Sequence, residues 1–290
     1  TTNQALFAGS SSATGDWTIE VYDASLTKST KSNGFAMTKG AGASLNGSAF
    51  FHGSYSSNYY SVFNASLTKT DLTNGCTKRT DLGAASNSSY VLFGGGYDNN
   101  NWSNVISSLD TYNSSLTKVT NPGLSEPSVS MGTASTSNYA AFYTSATKID
   151  VFNTSLTRTV LSNSSGTIKC SSGTGFGELM LFAGGGTYSN VDAYNGSLTK
   201  ISVTALSVAR NLIAAKSHGG FAFFCGGGIN GIGTASNAVD IYDQSLTRTT
   251  ATLATARMQI GAAVVGNYVL FAGGYNGSAA INTVEAYVVN

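Results

Sequence analysis

Six short segments place a carboxylate two residues before an aromatic: IEVY at 19–22, LDTY at 109–112, IDVF at 149–152, VDAY at 191–194, VDIY at 239–242 and VEAY at 284–287. Such acids, Glu20, Asp110, Asp150, Asp192, Asp240 and Glu285, could act as ligands or as general acids and bases. Catalysis needs a site that differs from its copies, whereas this position recurs, so the pattern predicts a framework role. The expected partners are strand neighbours or arginines such as Arg210 and Arg257. Six cations close the tetrapeptide Ser-Leu-Thr-Lys/Arg, at Lys28, Lys69, Lys118, Arg158, Lys200 and Arg248. They could attract an anionic polymer, but 15 Lys+Arg against 14 Asp+Glu leave a net charge of +1, which argues against nucleic acid as a partner. Guarding an exposed strand edge is the expected role.

Two histidines, His52 and His218, lie far apart, and Cys76, Cys170 and Cys225 have neither disulfide-framework nor zinc-site spacing. No Ser-His-Asp set or Walker loop is present, and the Gly-Gly-Gly runs at 94–96, 184–186 and 226–228 follow strands without opening a helix. The expectation is a protein that is not an enzyme, with no catalytic residues, metal or cofactor. Nine Asn-x-Ser/Thr sequons occur, but Asn64, Asn113, Asn153 and Asn195 share one repeat position with Asp23 and Asp243. An Asx side chain that caps a tight turn accounts for that position without glycosylation.

The elements that hold these residues follow from a repeat. The Ser-Leu-Thr tetrapeptide recurs at intervals of 40 to 49 residues. Ahead of each aromatic-ended segment runs an apolar stretch anchored by Phe7, Phe51, Phe93, Phe142, Phe182, Phe224 or Phe271, which usually breaks into glycines. Between each Ser-Leu-Thr and the next anchor lie small residues, as at Gly83-Ala84-Ala85 and Gly261-Ala262-Ala263. Each repeat therefore reads as four short strands: small-residue, apolar, aromatic-ended, and Thr-rich from its Lys/Arg. Seven such repeats filling 290 residues, with no helical periodicity, predict an all-β, seven-bladed β-propeller of four-stranded antiparallel blades spanning 1–290 as one domain. Small residues suit inner strands crowded at the axis, and Phe, Leu and Tyr the wider gaps between blades.

The order small-residue strand, apolar strand, Gly-Gly, then Val-Glu/Asp-x-Tyr-Asp/Asn resembles the kelch repeat over essentially the whole chain. Arg79, Arg210 and Arg257 each stand 14 residues before their Phe, near the arginine that kelch repeats often carry. The kelch tryptophan after the Tyr is absent, and the fourth repeat has Tyr143-Thr144 in place of Gly-Gly. The resemblance implies a propeller and leaves function open, since kelch propellers serve as adaptors, lectin-like modules and enzymes. The copper site of a galactose-oxidase-like enzyme, the remotest alternative, needs a cluster of His and Tyr that two isolated histidines do not supply.

Only six small-residue strands and six Ser-Leu-Thr strands accompany seven apolar strands, so one blade is expected to be incomplete where the N- and C-terminal ends of the sequence meet. The missing strands belong to a longer chain, or the ring closes imperfectly, or another chain supplies them, which would allow self-assembly through this seam.

What differs from blade to blade is the connection after each apolar strand. These loops carry Trp17, Tyr55, Tyr97, Asp98, Asn100, Trp102, Tyr188 and Tyr275, residue types that stack on sugar rings and bond hydroxyls. Alternating connections put all seven loops at one end of the disc, where binding on a rigid scaffold usually resides. Aromatics that merely cover the blade ends are the equally weighted alternative. With charged residues at 10% and no run of 18 apolar residues, no membrane insertion is expected, and a Ser/Thr/Asn/Gly-rich surface suits an extracellular or cell- or virion-surface protein. The expected function is therefore recognition of a glycan or protein by the loop end. The alternative is a structural subunit of a surface fibre or phage-tail-like assembly.

Overall fold

The computed structural model describes residues 3–9, 18–32, 37, 39–53, 58–73, 76–98, 103–162, 171–231 and 233–289. It is all-β, and seven antiparallel blades form a propeller.

Blade 1 holds β1 (Gln4–Ala8), β2 (Thr18–Asp23) and β3 (Lys28–Ser32). Blade 2 follows with β4 (Ala41–Leu45), β5 (Ser48–His52), β6 (Tyr60–Phe63) and β7 (Lys69–Leu72). The short β8 (Arg79–Thr80) leads into blade 3, made of β9 (Gly83–Ser86), β10 (Tyr90–Gly94) and β12 (Leu109–Asn113), with β11 (Tyr97–Asp98) paired to β8. Blade 4 comprises β13 (Thr133–Ser135), β14 (Tyr139–Ser145), β15 (Lys148–Asn153) and β16 (Arg158–Ser162). Blade 5 comprises β17 (Ser172–Phe176), β18 (Leu179–Ala183), β19 (Val191–Tyr194) and β20 (Lys200–Ile201). In blade 6, β21 (Ala214–His218), β22 (Phe221–Cys225), β25 (Ala238–Tyr242) and β26 (Arg248–Thr252) form the sheet, and β23 (Gly228–Ile229) pairs with β24 (Thr234–Ala235) beyond it. Blade 7 ends the chain with β27 (Gly261–Val265), β28 (Tyr268–Ala272) and β29 (Val284–Val288).

The expected strand order holds in every complete blade, small-residue strand innermost and Thr-rich strand outermost. Inner strands pack side by side, β4 on β9 and so on round to β27, which packs on β1. Across from the anchor phenylalanines stand Gly42, Ala84, Thr133, Gly173, Ala215 and Ala262. Their lack of bulk lets strands meet at the axis: a Cβ on Gly173 would lie 2.8 Å from the Thr133 carbonyl of the next blade. Apolar clusters fill the gaps between blades, such as Leu181, Ala222, Phe224 and Tyr242 between blades 5 and 6.

Among the described residues blade 1 shows no inner strand and blade 7 no outer one, as the strand count in the sequence predicts. Blade 3 departs from expectation. Its Thr-rich segment makes one bridge, Tyr112 to Lys118, and then leaves the sheet. Pro122 follows, without an amide to donate, and the Asn121 side chain occupies the ladder instead, donating to the Leu109 carbonyl at 3.0 Å and the Thr111 hydroxyl at 3.1 Å. In blade 4, where Gly-Gly is absent, β14 runs on through a bulge at Tyr143/Ser145 into a tight hairpin.

The Ser-Leu-Thr turns are built by their Asx residue. Asn153 Oδ1 accepts from Ser155 N at 2.9 Å and Thr157 N at 3.0 Å, and Asn64, Asn113, Asn195, Asp23 and Asp243 do the same. Each turn drives its leucine to a left-handed backbone, φ 59° to 62° at Leu26, Leu67, Leu116, Leu156, Leu198 and Leu246. That conformation costs roughly 1–2 kcal/mol for a residue with a side chain. Packing against the preceding blade offsets it, as Leu156 does among Leu92, Phe142 and Phe152.

Candidate binding surfaces

The repeated acids are consumed by the framework, as the pattern predicts. Lys118 Nζ lies 2.6 Å from Asp110, Lys200 2.6 Å from Asp192, Arg158 3.9 Å from Asp150 and Arg248 3.7 Å from Asp240, while Lys28 pairs with Glu20. In blade 2 a serine stands at the acid position, and Asp71 on the outer strand takes the acid's place, bonded by Ser61 and by Lys69 at 3.0 Å. The cations expected to guard strand edges therefore also neutralise the acid on the neighbouring strand.

Three of the acids gain a buried arginine. Arg210 Nη2 sits 2.7 Å from Asp240, and both are 0% exposed. Its remaining donors reach the Gly226 and Phe224 carbonyls at 2.7 and 2.9 Å. Arg79 and Arg257 repeat this arrangement with Asp110 and Glu285, reaching the carbonyls of Gly95 and Gly273. Burial alone would raise the Asp110 pKa, but Arg79, Lys118 and the Tyr60 hydroxyl at 2.8 Å hold it below the usual carboxylate value. Asp150 has no such arginine, and burial raises its pKa despite bonds from the Ser125 amide and hydroxyl.

His52 is sealed at the interface of blades 2 and 3, stacked on Tyr60 at 4.1 Å between ring centroids. Its nitrogens face the carbonyls of Tyr59 at 2.9 Å and Thr77 at 3.0 Å, yet burial prevails and lowers its pKa to about 4. Among the described residues no group of three or more His, Cys, Asp or Glu is arranged to hold a metal ion.

Antiparallel alternation brings the loops after the apolar strands to one end of the disc, together with the connections between blades. Of the residues expected to form a binding face there, Trp17, Tyr55, Asn100 and Trp102 lie outside the described residues. The other four stand on blades 3, 5 and 7, which are not neighbours. Tyr97 and Asp98 are half-buried in β11, which pairs with β8, and Asp98 accepts from the Asn104 amide at 3.2 Å. Tyr275 is half-buried, bridged on one side to Met258 and on the other to Ala280. Only Tyr188 among the four stands out, 45% exposed on a turn closed by its amide to the Gly185 carbonyl. The aromatics are thus partly a cover for the blade ends, because the inter-blade connections cross over the loops and pair with them.

Two further surfaces escaped sequence reasoning. At the opposite end of the axis an open depression of about 550 Å³ is lined by Ser86–Ser88, Ser135–Ser137 and Gly175–Gly177. The recurring serine at the end of the small-residue strand was its signal. Those serines also tie blades together, Ser135 Oγ accepting from Ser86 N at 2.9 Å and Ser217 Oγ donating to the Gly175 carbonyl. The other surface is a groove of about 480 Å³ at the seam, between blades 7, 1 and 2.

No family model matches the chain, and no curated protein matches it. Among solved structures the chain is similar to that of YjhT, a propeller, with a TM-score of 0.64 at 13% identity, over 87% of this chain and 95% of that one. At this level of identity the likeness is one of fold: the chain is a seven-bladed β-propeller.

Proposed function

We propose that this propeller is a kelch-like, non-enzymatic binding module, at work outside the cell or on a cell or virion surface, that recognises a glycan or protein with its loop end. The observation that carries this reading is a division of labour. Repeated charged residues are spent inside the blades, whereas the loop end differs in every blade and presents Tyr188 to solvent. An exposed tyrosine amid Ser, Thr and Asn offers a ring face for a sugar and hydroxyls and amides for its polar groups. The test is a glycan and protein array probed with the wild type, followed by Tyr188→Ala and Trp102→Ala. Loss of affinity by about tenfold or more with an unchanged melting temperature is expected. Undiminished binding by both variants would overturn the loop end as the site.

A further inference from the structure

Blades 3, 4 and 5 differ from blade 7 at the end of the axis opposite the loops. Their inner strands come to that end with Ser86, Ser135 and Gly175, where blade 7 carries Val264 at the same level. The surface sinks there into the depression of about 550 Å³, which lies wholly on these three blades, away from the seam. Small-molecule sites typically measure about 300–1,000 Å³. Glycine at 175 lets blade 5 close on blade 4, since a Cβ there would stand 2.2 Å from the Ser135 carbonyl oxygen.

The walls are held by the hairpins they belong to. Ser86 N donates to Ser135 Oγ at 2.9 Å and Ser88 N to the Ser137 carbonyl at 2.9 Å, which ties two turns together. Asn87 spends its carboxamide on the Asn153 carbonyl at 3.1 Å and on the amides of Ser89 and Tyr90. The serine hydroxyls are not spent. Those of Ser86, Ser88 and Ser137 have no partner among the described residues, and Ser135 Oγ accepts one bond with its own proton left to donate. Ser88 and Ser137 stand exposed at the rim, Ser86 and Ser135 half-buried below them, and the buried Phe176 closes one side. Among the described residues no charged side chain lines the depression. An ion would lose water here without meeting a counter-charge, and a purely apolar ligand would strand the hydroxyls. Each hydroxyl both donates and accepts, which suits a neutral ligand that is itself rich in hydroxyls.

We propose that this depression is a binding site for a neutral saccharide, with a sugar ring seated among the hydroxyls of Ser86, Ser88, Ser135 and Ser137 and its C–H groups against Phe176. Rigid hairpins hold the four hydroxyls in place before the ligand arrives, so little ordering opposes binding. The site does not rest on the loop-end reading. The two lie at opposite ends of the disc, and different substitutions remove them.

The test is an NMR titration of the propeller with the methyl glycosides of glucose, galactose, mannose and N-acetylglucosamine, and in parallel with the free sugars, glucuronate and glucosamine. At least one neutral sugar should bind saturably and shift the amides of Ser88, Ser137 and Gly177, with glucuronate and glucosamine at least about fivefold weaker. Ser86→Ala, which removes a hydroxyl that holds nothing in the fold, should weaken binding about fivefold. Ser137→Trp at the exposed rim should abolish it, and both variants should melt as the wild type does. Binding of methyl glycosides assigns the end of a glycan chain as the ligand, and binding of free sugars alone assigns a soluble sugar. Absence of saturable binding by every neutral sugar up to tens of millimolar overturns the site. Binding that survives Ser137→Trp overturns it as well, and its loss in Tyr188→Ala would then place the sugar at the loop end. Tighter binding of glucuronate or glucosamine overturns the neutral ligand, and undiminished affinity in Ser86→Ala overturns the role of the hydroxyls.

Discussion

The interface between blades 5 and 6 and the interface between blades 7 and 1 are built on the same repeat but solved differently. The first buries nine apolar side chains, including Leu181, Phe224 and Tyr242, behind two complete sheets. Among the described residues the second buries three, Ala5, Val265 and Leu270, and there blade 7 shows no outer strand and blade 1 no inner one. The leucine of the Ser-Leu-Thr turn registers the difference. Leu246 packs into the 5/6 interface, whereas Leu26, whose preceding blade lacks an outer strand, is 36% exposed. Closure of the ring is therefore local: each blade is finished by the one before it, and a strand missing at one point does not loosen the interfaces on the far side.

The sharpest way to break this contrast is at Arg210. Arg210→Ala leaves Asp240 and the Gly226 and Phe224 carbonyls without their buried partner, and should lower unfolding free energy by about 3–5 kcal/mol in a denaturant titration. Lys28→Ala, which removes the exposed pair with Glu20 at the seam, should leave it nearly unchanged.

Acid should also act on the closed part of the ring. His52 is neutral when folded, with a pKa near 4 against about 6.5 when unfolded. The unfolded chain then binds the extra proton between those values, so stability is complete above about pH 6.5 and declines as pH falls toward 4, by up to about 3 kcal/mol. His52→Phe should flatten that slope in melts between pH 5 and 6.5, whatever it does to stability at pH 7.

The smallest effect compares one substitution at two places. Leu26→Gly relieves a left-handed φ of 62° at little loss of packing and should stabilise by about 1 kcal/mol. Leu156→Gly relieves the same strain but empties a buried site, and should destabilise by about 1–2 kcal/mol. Equal effects in thermal melts would mean that the seam is as well packed as the rest.

Much of this architecture was legible because the repeat reports position directly. The strands β3, β7, β16, β20 and β26 begin at the very Lys or Arg that closes each Ser-Leu-Thr, and the pairing of those cations with the acid on the neighbouring strand follows from their constant spacing. The incomplete seam was legible by counting strands. Blade 3 was not, since a side chain such as Asn121 can replace a ladder bond only once the chain is folded around it. Nor were the leucines: φ above zero on a branched side chain contradicts local preference, and only packing against the neighbouring blade sustains it. The loop end was legible in location and not in exposure. Whether Tyr97 or Tyr188 faces water depends on whether an inter-blade connection such as β8 crosses over it.

The acids settle how such a chain can change length. Asp110 is met by Arg79 and Lys118, Asp240 by Arg210 and Arg248, and in each case all three residues lie within one sequence period. A whole repeat can therefore be duplicated, deleted or exchanged without stranding a charge in the core, and it carries its own variable loop with it. Electrostatic self-sufficiency of the blade makes the repeat a unit of recombination, so that a new surface can be acquired by inheritance of a blade rather than by residue-by-residue redesign.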